Sequence, residues 1–312
     1  MATSTAGEVT AIKPMEYPAL YQRAAAASKQ AQKKYLLFAK AEMWLVMIGA
    51  IGGGVTTIGS ESLAQGLAAG TAFCLIFSLF ASLLSRAWRF EAAWFNARSV
   101  AESVKTLAWR YMMGVEPFDL KKSQSEADRD FVEKLKIIAD QVEERTDFVG
   151  GSSGAESSQI SGEMKRLRAL TFSEQKDIYL KQRLQDQKSW YNSRADENRR
   201  KGAMWYWTTI SLQAVAIIVA IFMVMNPGWI YNPLGLLTTV IASLLSWIQL
   251  KRYEDLAKTY SVAYHELSFL EDLLRNVVDK SELDEFVVNT EDVISREHTM
   301  WHAKRTGTFW KK

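Results

Sequence analysis

Apolar residues in this chain are gathered into long uncharged runs instead of being spread at amphipathic spacing. From Gly202 to Leu250, forty-nine consecutive residues include no Asp, Glu, Lys or Arg. One helix crosses a bilayer's hydrocarbon core with about 20 apolar residues, so this run predicts two spans and a turn. The turn is Asn226-Pro227-Gly228-Trp229-Ile230-Tyr231-Asn232-Pro233, where two prolines and a glycine stop one helix and allow the next. The spans fall at 203–225 and 234–250. Earlier, Met43–Ser60 is uncharged for eighteen residues and Ser62–Ser85 for twenty-four, with Glu61 in the turn between them. These predict spans at about 43–60 and 63–85. Soluble helices of this length normally keep a charged face.

The flanking charges orient both hairpins. Arg199, Arg200 and Lys201 precede the later hairpin and Lys251 and Arg252 follow it; Lys33, Lys34 and Lys40 precede the earlier one and Arg86 and Arg89 follow it. Neither turn holds a Lys or Arg, so the positive-inside rule places all four helix ends and both termini in the cytoplasm. Trp44, Trp88, Trp205, Trp207, Trp229 and Trp247 lie at the expected interfaces as anchors. The hairpins also look like copies. A shift of 161 residues takes Lys40 to Lys201, Met43-Trp44 to Met204-Trp205, and Ala81-Ser82-Leu83-Leu84-Ser85 to Ala242-Ser243-Leu244-Leu245-Ser246. Repeats of equal orientation are related by an axis along the membrane normal.

Each hairpin runs on into an amphipathic stretch free of glycine and proline. Phe90, Trp94, Ala97, Ala101, Val104, Ala108 and Tyr111 alternate in steps of four and three, and Tyr253, Ala257, Tyr260, Tyr264, Leu267, Leu270, Leu274 and Val277 nearly do so. That spacing predicts a coiled-coil seam. An unbroken helix from Thr71 to Met113 would reach about 65 Å at 1.5 Å per residue, so the spans are expected to project into the cytoplasm as a packed stalk. The expected fold is all-α and integral to the membrane: four transmembrane helices in two parallel-repeat hairpins with long cytoplasmic helical extensions. Residues 1–15 are expected to be disordered. The first repeat covers 16–149, with a polar helix near 125–148; a Gly/Ser linker covers 150–162. The second repeat covers 163–312 and opens on a long helix from about Ser173, which would cap it ahead of Glu174 and Asp177.

Composition adds limits. The net charge of +3 does not argue for nucleic acid, and the single cysteine, Cys74, excludes an internal disulfide framework. The opening residues have neither the basic start nor the apolar core of a secretory signal. No catalytic constellation and no cofactor motif is visible, so an enzyme is not expected. His298 and His302 stand four apart on a predicted helix, but no clear third ligand accompanies them, so no metal is expected. The tail from Trp301 to Lys312 mixes aromatic and basic residues, which suit anionic headgroups. Within the spans the polar groups are uncharged. Thr56, Thr57, Gln213, Thr239 and Ser243 either bond neighbouring helices or line a water path. Glu61 is either a solvated turn residue or part of a carboxylate ring at the outer mouth of an oligomer.

Trp88-Arg89-Phe90-Glu91-Ala92-Ala93-Trp94, the stretch from Arg98 to Lys105, Trp109-Arg110-Tyr111 and Pro117-Phe118 together resemble the SLATT superfamily of two-span membrane domains. Tyr179, Trp190-Tyr191 and Asn198 before the second hairpin, with Glu297-His298 and Trp301 after it, resemble a second unit of a related subtype. The resemblance covers about residues 16–305 apart from the linker and carries no catalytic residues. It implies a bacterial pore-forming effector of nucleotide-linked conflict and defence systems. The expectation is therefore a homo-oligomeric pore in the inner membrane, with lipid, further copies and a cytoplasmic sensor or nucleotide-signalling partner as its contacts. The alternative is a membrane scaffold that docks a sensor and has no ion pathway.

Overall fold

The computed structural model describes residues 16–55, 61–143, 158–227 and 233–306. Every regular element among them is helical: α1 (Ala19–Val55), α2 (Glu61–Ala87), α3 (Phe90–Met113), α4 (Gln124–Glu143), α5 (Gly162–Arg168), α6 (Phe172–Ile178), a π-helical segment (Tyr179–Gln185), α7 (Asp186–Met225), α8 (Leu234–Lys251), α9 (Tyr253–Asn276) and α10 (Lys280–Thr306). Four helical stretches are long and apolar enough to cross a membrane. They contain the predicted spans at 63–85, 203–225 and 234–250 and residues 43–52 of the first, whose residues 56–60 lie outside the described residues. The expected disordered start, most of the Gly/Ser linker, Thr56, Thr57 and Trp229 lie outside the described residues.

Two compact units divide the chain. A span unit takes Lys33–Phe90 and Trp190–Tyr264, and a core unit takes Met1–Gln32, Glu91–Ser189 and His265–Lys312. In the span unit, α1 and α2 approach closely through glycine. A Cβ on Gly49 would stand 3.4 Å from the Cβ of Cys74, and one on Gly52 would stand 2.5 Å from Thr71 Oγ1. Thr71 donates its hydroxyl proton to the Gly49 carbonyl at 3.1 Å. Small residues that admit a neighbouring backbone are a recurring basis of helix pairing in lipid. In the second hairpin a Cβ on Gly202 would stand 3.4 Å from the Cβ of Tyr253.

The predicted unbroken helix from Thr71 to Met113 is interrupted. Arg89 is left-handed, with φ of 45°, and α3 begins one residue later. Residues two apart cannot face the same way on one α-helix, yet Trp88 and Phe90 both meet Phe38, at 5.9 and 5.5 Å between ring centres. The break makes that possible. Arg252, with φ of 49°, interrupts α8 and α9 at the corresponding place, and there Lys251 reaches the rings of both Trp247 and Tyr253.

Burial in the core unit goes beyond a two-helix seam. Trp94, Ala97, Ala101, Val104, Ala108 and Tyr111 are buried as the spacing requires, but so are Phe95, Val100, Trp109, Met112 and Met113 on other faces of α3. That is a helix packed within a bundle. At its end Gly114, with φ of 63°, has no room for a side chain, since a Cβ would meet Leu120 Cδ2 at 2.5 Å. The chain then turns so that Tyr111, Phe118 and Phe131 of α4 cluster at 4.9–5.8 Å. Buried Arg168 of α5 donates to the carbonyl oxygens of Tyr111, Phe118 and Asp119 and closes that corner.

The helix before the second hairpin starts earlier than Ser173. Thr171 is its N-cap, and the Glu174 carboxylate accepts from both the backbone N–H and the hydroxyl of Thr171. A carboxylate three residues into a helix can reach back to the cap, whereas a residue already inside the first turn cannot serve as one.

Candidate functional site: span-unit polar groups and a buried ion pair

The polar residues singled out from sequence are spread over the span unit. Glu61 is the first residue of α2 and is exposed. Gln213 on α7, and Thr239 and Ser243 on α8, are half-buried. Thr239 donates to the carbonyl of Gly235, four residues back in its own helix. Thr208, Thr209 and Thr238 bond in the same way. Each of these hydroxyls donates within its own helix. Among the aromatic anchors, Trp44, Trp88 and Trp207 are more than half exposed. Trp205 and Trp247 are half-buried, and the ammonium groups of Lys40 and Lys251 lie 5.8 and 5.7 Å from the Trp247 ring centre, within reach of a cation–π attraction.

One carboxylate escaped the sequence reading. Glu42 lies one residue before the first uncharged run, and its Oε1 accepts a hydrogen bond from Ser82 of α2 at 2.7 Å. Ser82 belongs to the repeated Ala-Ser-Leu-Leu-Ser motif. The same 161-residue shift takes Ser82 to Ser243 but Glu42 to Ala203. That asymmetry between otherwise matching hairpins was the available signal. Counting uncharged runs hides it, because the count starts at Met43.

The core unit contains a site of another kind. Arg183, in the π-helical segment, and Glu291 of α10 form a fully buried bidentate pair. Nε donates to Oε1 at 2.7 Å and Nη2 to Oε2 at 2.6 Å, with side-chain exposures of 1% and 0%. Tyr179 donates its hydroxyl proton to Glu291 Oε1 at 3.0 Å. Trp109 packs edge-on to Tyr179 and donates its indole N–H to the hydroxyl of Tyr17. Arg183 Nη1 is buried with no hydrogen-bond partner. Burial alone disfavours the charge on Arg183. The Glu291 carboxylate, by its charge and its hydrogen bonds, more than offsets this and raises the guanidinium pKa. Tyr179 moves well above the usual phenol value through burial and the same carboxylate. Lys105, whose ammonium donates to Gln187 at 3.4 Å, is pushed down by burial and by the nearby Arg183 charge. The sequence offered no route to this pair, because 108 positions separate its members.

Among the described residues, no cluster of three His, Cys, Asp or Glu side chains is placed to hold a metal ion. His298 and His302 fall in the part of α10 whose side chains are not described.

Comparison with known families identifies both halves. Residues 18–176 match the model of SMODS and SLOG-associating 2TM effector domain 3, and residues 179–301 match that of domain 1. The chain belongs to the SLATT family. It carries two SLATT domains in tandem, which meet just before the π-helical segment. SLATT domains are associated with bacterial conflict and defence effectors that have membrane-spanning helices, and this one is a multi-pass membrane protein. No curated protein and no solved structure matches the chain.

Proposed function

We propose that this tandem SLATT protein is a homo-oligomeric pore or ion channel of the bacterial inner membrane. On this reading both termini are cytoplasmic, and the pore is a defence effector opened by a cytoplasmic sensor or nucleotide-signalling partner. The observation that carries the proposal is how little the spans bury. Only 6–11% of the residues in the four apolar windows are buried. Nothing lies within 4 Å of where a Cβ would stand on Gly66, Gly70 or Gly235. Spans this open find the rest of their contacts in lipid and in further copies, with small residues as the usual points of approach. Helices from several copies would then enclose the path, and Gln213, Thr239 and Ser243 are its candidate lining. Glu42 is a carboxylate at the inner end and Glu61 one at the outer end, so a ring of either favours cations.

The test is ion flux through liposomes holding the purified oligomer, with and without cytoplasmic extract from infected cells as the trigger. Step-like single-channel currents that select cations support the proposal; liposomes tight in every condition remove it. A scaffold without an ion pathway is the second reading. It is favoured by Phe269, Leu273 and Val278 of the core unit, which are 71%, 58% and 74% exposed and suit a docked sensor. Single-channel recording separates the two.

A further inference from the structure

The helix that becomes the third span does not keep one register. It runs without a break from Phe172 to Met225, but residues 179–185 are π-helical. Its buried polar positions explain why. Gln175, Tyr179, Arg183 and Gln187 recur every four residues, and each has a fixed partner in the core unit. Gln175 donates to the carbonyls of Leu167 and Arg168, Tyr179 and Arg183 share Glu291, and Gln187 accepts from Lys105. At 3.6 residues per turn, every four-residue step drifts about 40° around an α-helix, so three steps carry Gln187 about 120° away from Gln175. Hydrogen bonds from i to i+5 widen the turn and remove part of that drift. Tyr179 and Arg183, four apart, share one carboxylate, and the π-helical register between Gln175 and Gln187 keeps the whole run nearer to one face.

We propose that residues 179–185 are a register switch for the third span and that the Arg183–Glu291 pair is its latch. When the pair separates, the segment relaxes to α-helix. Everything beyond it then turns by about one residue relative to residues 172–178, roughly 100° and 1.5 Å along the axis. The latch is incomplete, because Arg183 Nη1 is buried without a partner. The consequence for gating rests on the pore reading above; the switch itself does not.

A crosslinking experiment on the full-length protein in lipid tests the switch. In a Cys74→Ser background, Lys105→Cys is combined in turn with Asp186→Cys, Gln187→Cys or Lys188→Cys, and a bifunctional thiol reagent about as long as the two lost side chains is added. With the latch intact, 105–187 is the main product. Glu291→Gln moves the main product to 186 or 188. Deleting Lys181, an exposed residue within the segment, removes the extra residue of the wide turn, and the main product then stays at 187 even with Glu291→Gln. The proposal is overturned if Glu291→Gln leaves 187 as the main product in folded protein, or if the deletion alone moves it. Should Glu291→Gln fail to fold, the joint change Arg183→Met with Glu291→Leu, which removes the latch and packs its site with apolar side chains, takes its place: a main product moved to 186 or 188 supports the switch, and one still at 187 overturns it. Ion flux is recorded separately: a shifted crosslink with tight liposomes removes the pore and keeps the switch.

Discussion

The two units resolve the placement of polar groups in opposite ways. The core unit draws charge inside: Arg183 and Glu291 are fully buried, and Arg168 is 4% exposed. The span unit turns apolar groups outward, with Phe73, Ile218 and Val224 exposed at 63%, 66% and 82%. In water such a surface would drive aggregation; in lipid it is the contact that holds the helices in place. The buried pair is weak evidence for stability as such, because well-packed apolar side chains often replace such pairs without loss. Its worth here is geometric, since it ties α10 to a segment that leads into a span.

The largest expected effect is therefore on the pair. Glu291→Ala leaves Arg183 buried and uncompensated and lowers the stability of the core unit by about 3–5 kcal/mol. The joint change Arg183→Met with Glu291→Leu recovers most of that, and thermal melting in detergent reads both. Next comes the glycine contact. Gly52→Leu forces α1 and α2 apart at Thr71 and costs about 1–3 kcal/mol in the hairpin, read as unfolding in mixed micelles. Ser82→Ala removes the bond to Glu42 and costs about 0.6 kcal/mol, the average for such bonds between membrane helices. If Ser82→Ala costs as much as Glu291→Ala, the contrast between the units fails.

A further effect shows only in acid. Hydrogen bonds from Lys188, Gln185 and Arg275 hold Glu271 at about 2, against 4.5 for an ordinary glutamate. A carboxylate with a depressed pKa contributes stability that is complete above its unfolded value and lost as the folded value is approached. The core unit should thus weaken as pH falls from about 4.5 toward 2, and Glu271→Gln should flatten that slope. Melting temperature followed through this window checks it.

Much of the membrane architecture is legible in the order of residues. Uncharged runs of eighteen, twenty-four and forty-nine residues set the spans, because lipid leaves a backbone few options other than helix. The repeat was legible too, and the left-handed arginines at 89 and 252 mark corresponding breaks in both copies. The breaks themselves were not predictable from spacing. At the first, Trp88 and Phe90 both pack on Phe38, and at the second Lys251 reaches the rings of Trp247 and Tyr253, contacts that do not show in a helical period. The N-cap was misplaced by two residues for a similarly local reason, the reach of Glu174 back to Thr171.

What the chain's order of residues determined by itself was where it meets lipid, since hydrophobicity acts locally and adds along the chain. Tertiary structure alone decided which polar groups meet. Glu42 found Ser82 forty positions away, and Arg183 found Glu291 at 108. Such pairs depend on how helices pack and on the register of each turn, and a one-residue change of register redirects a side chain by about 100°.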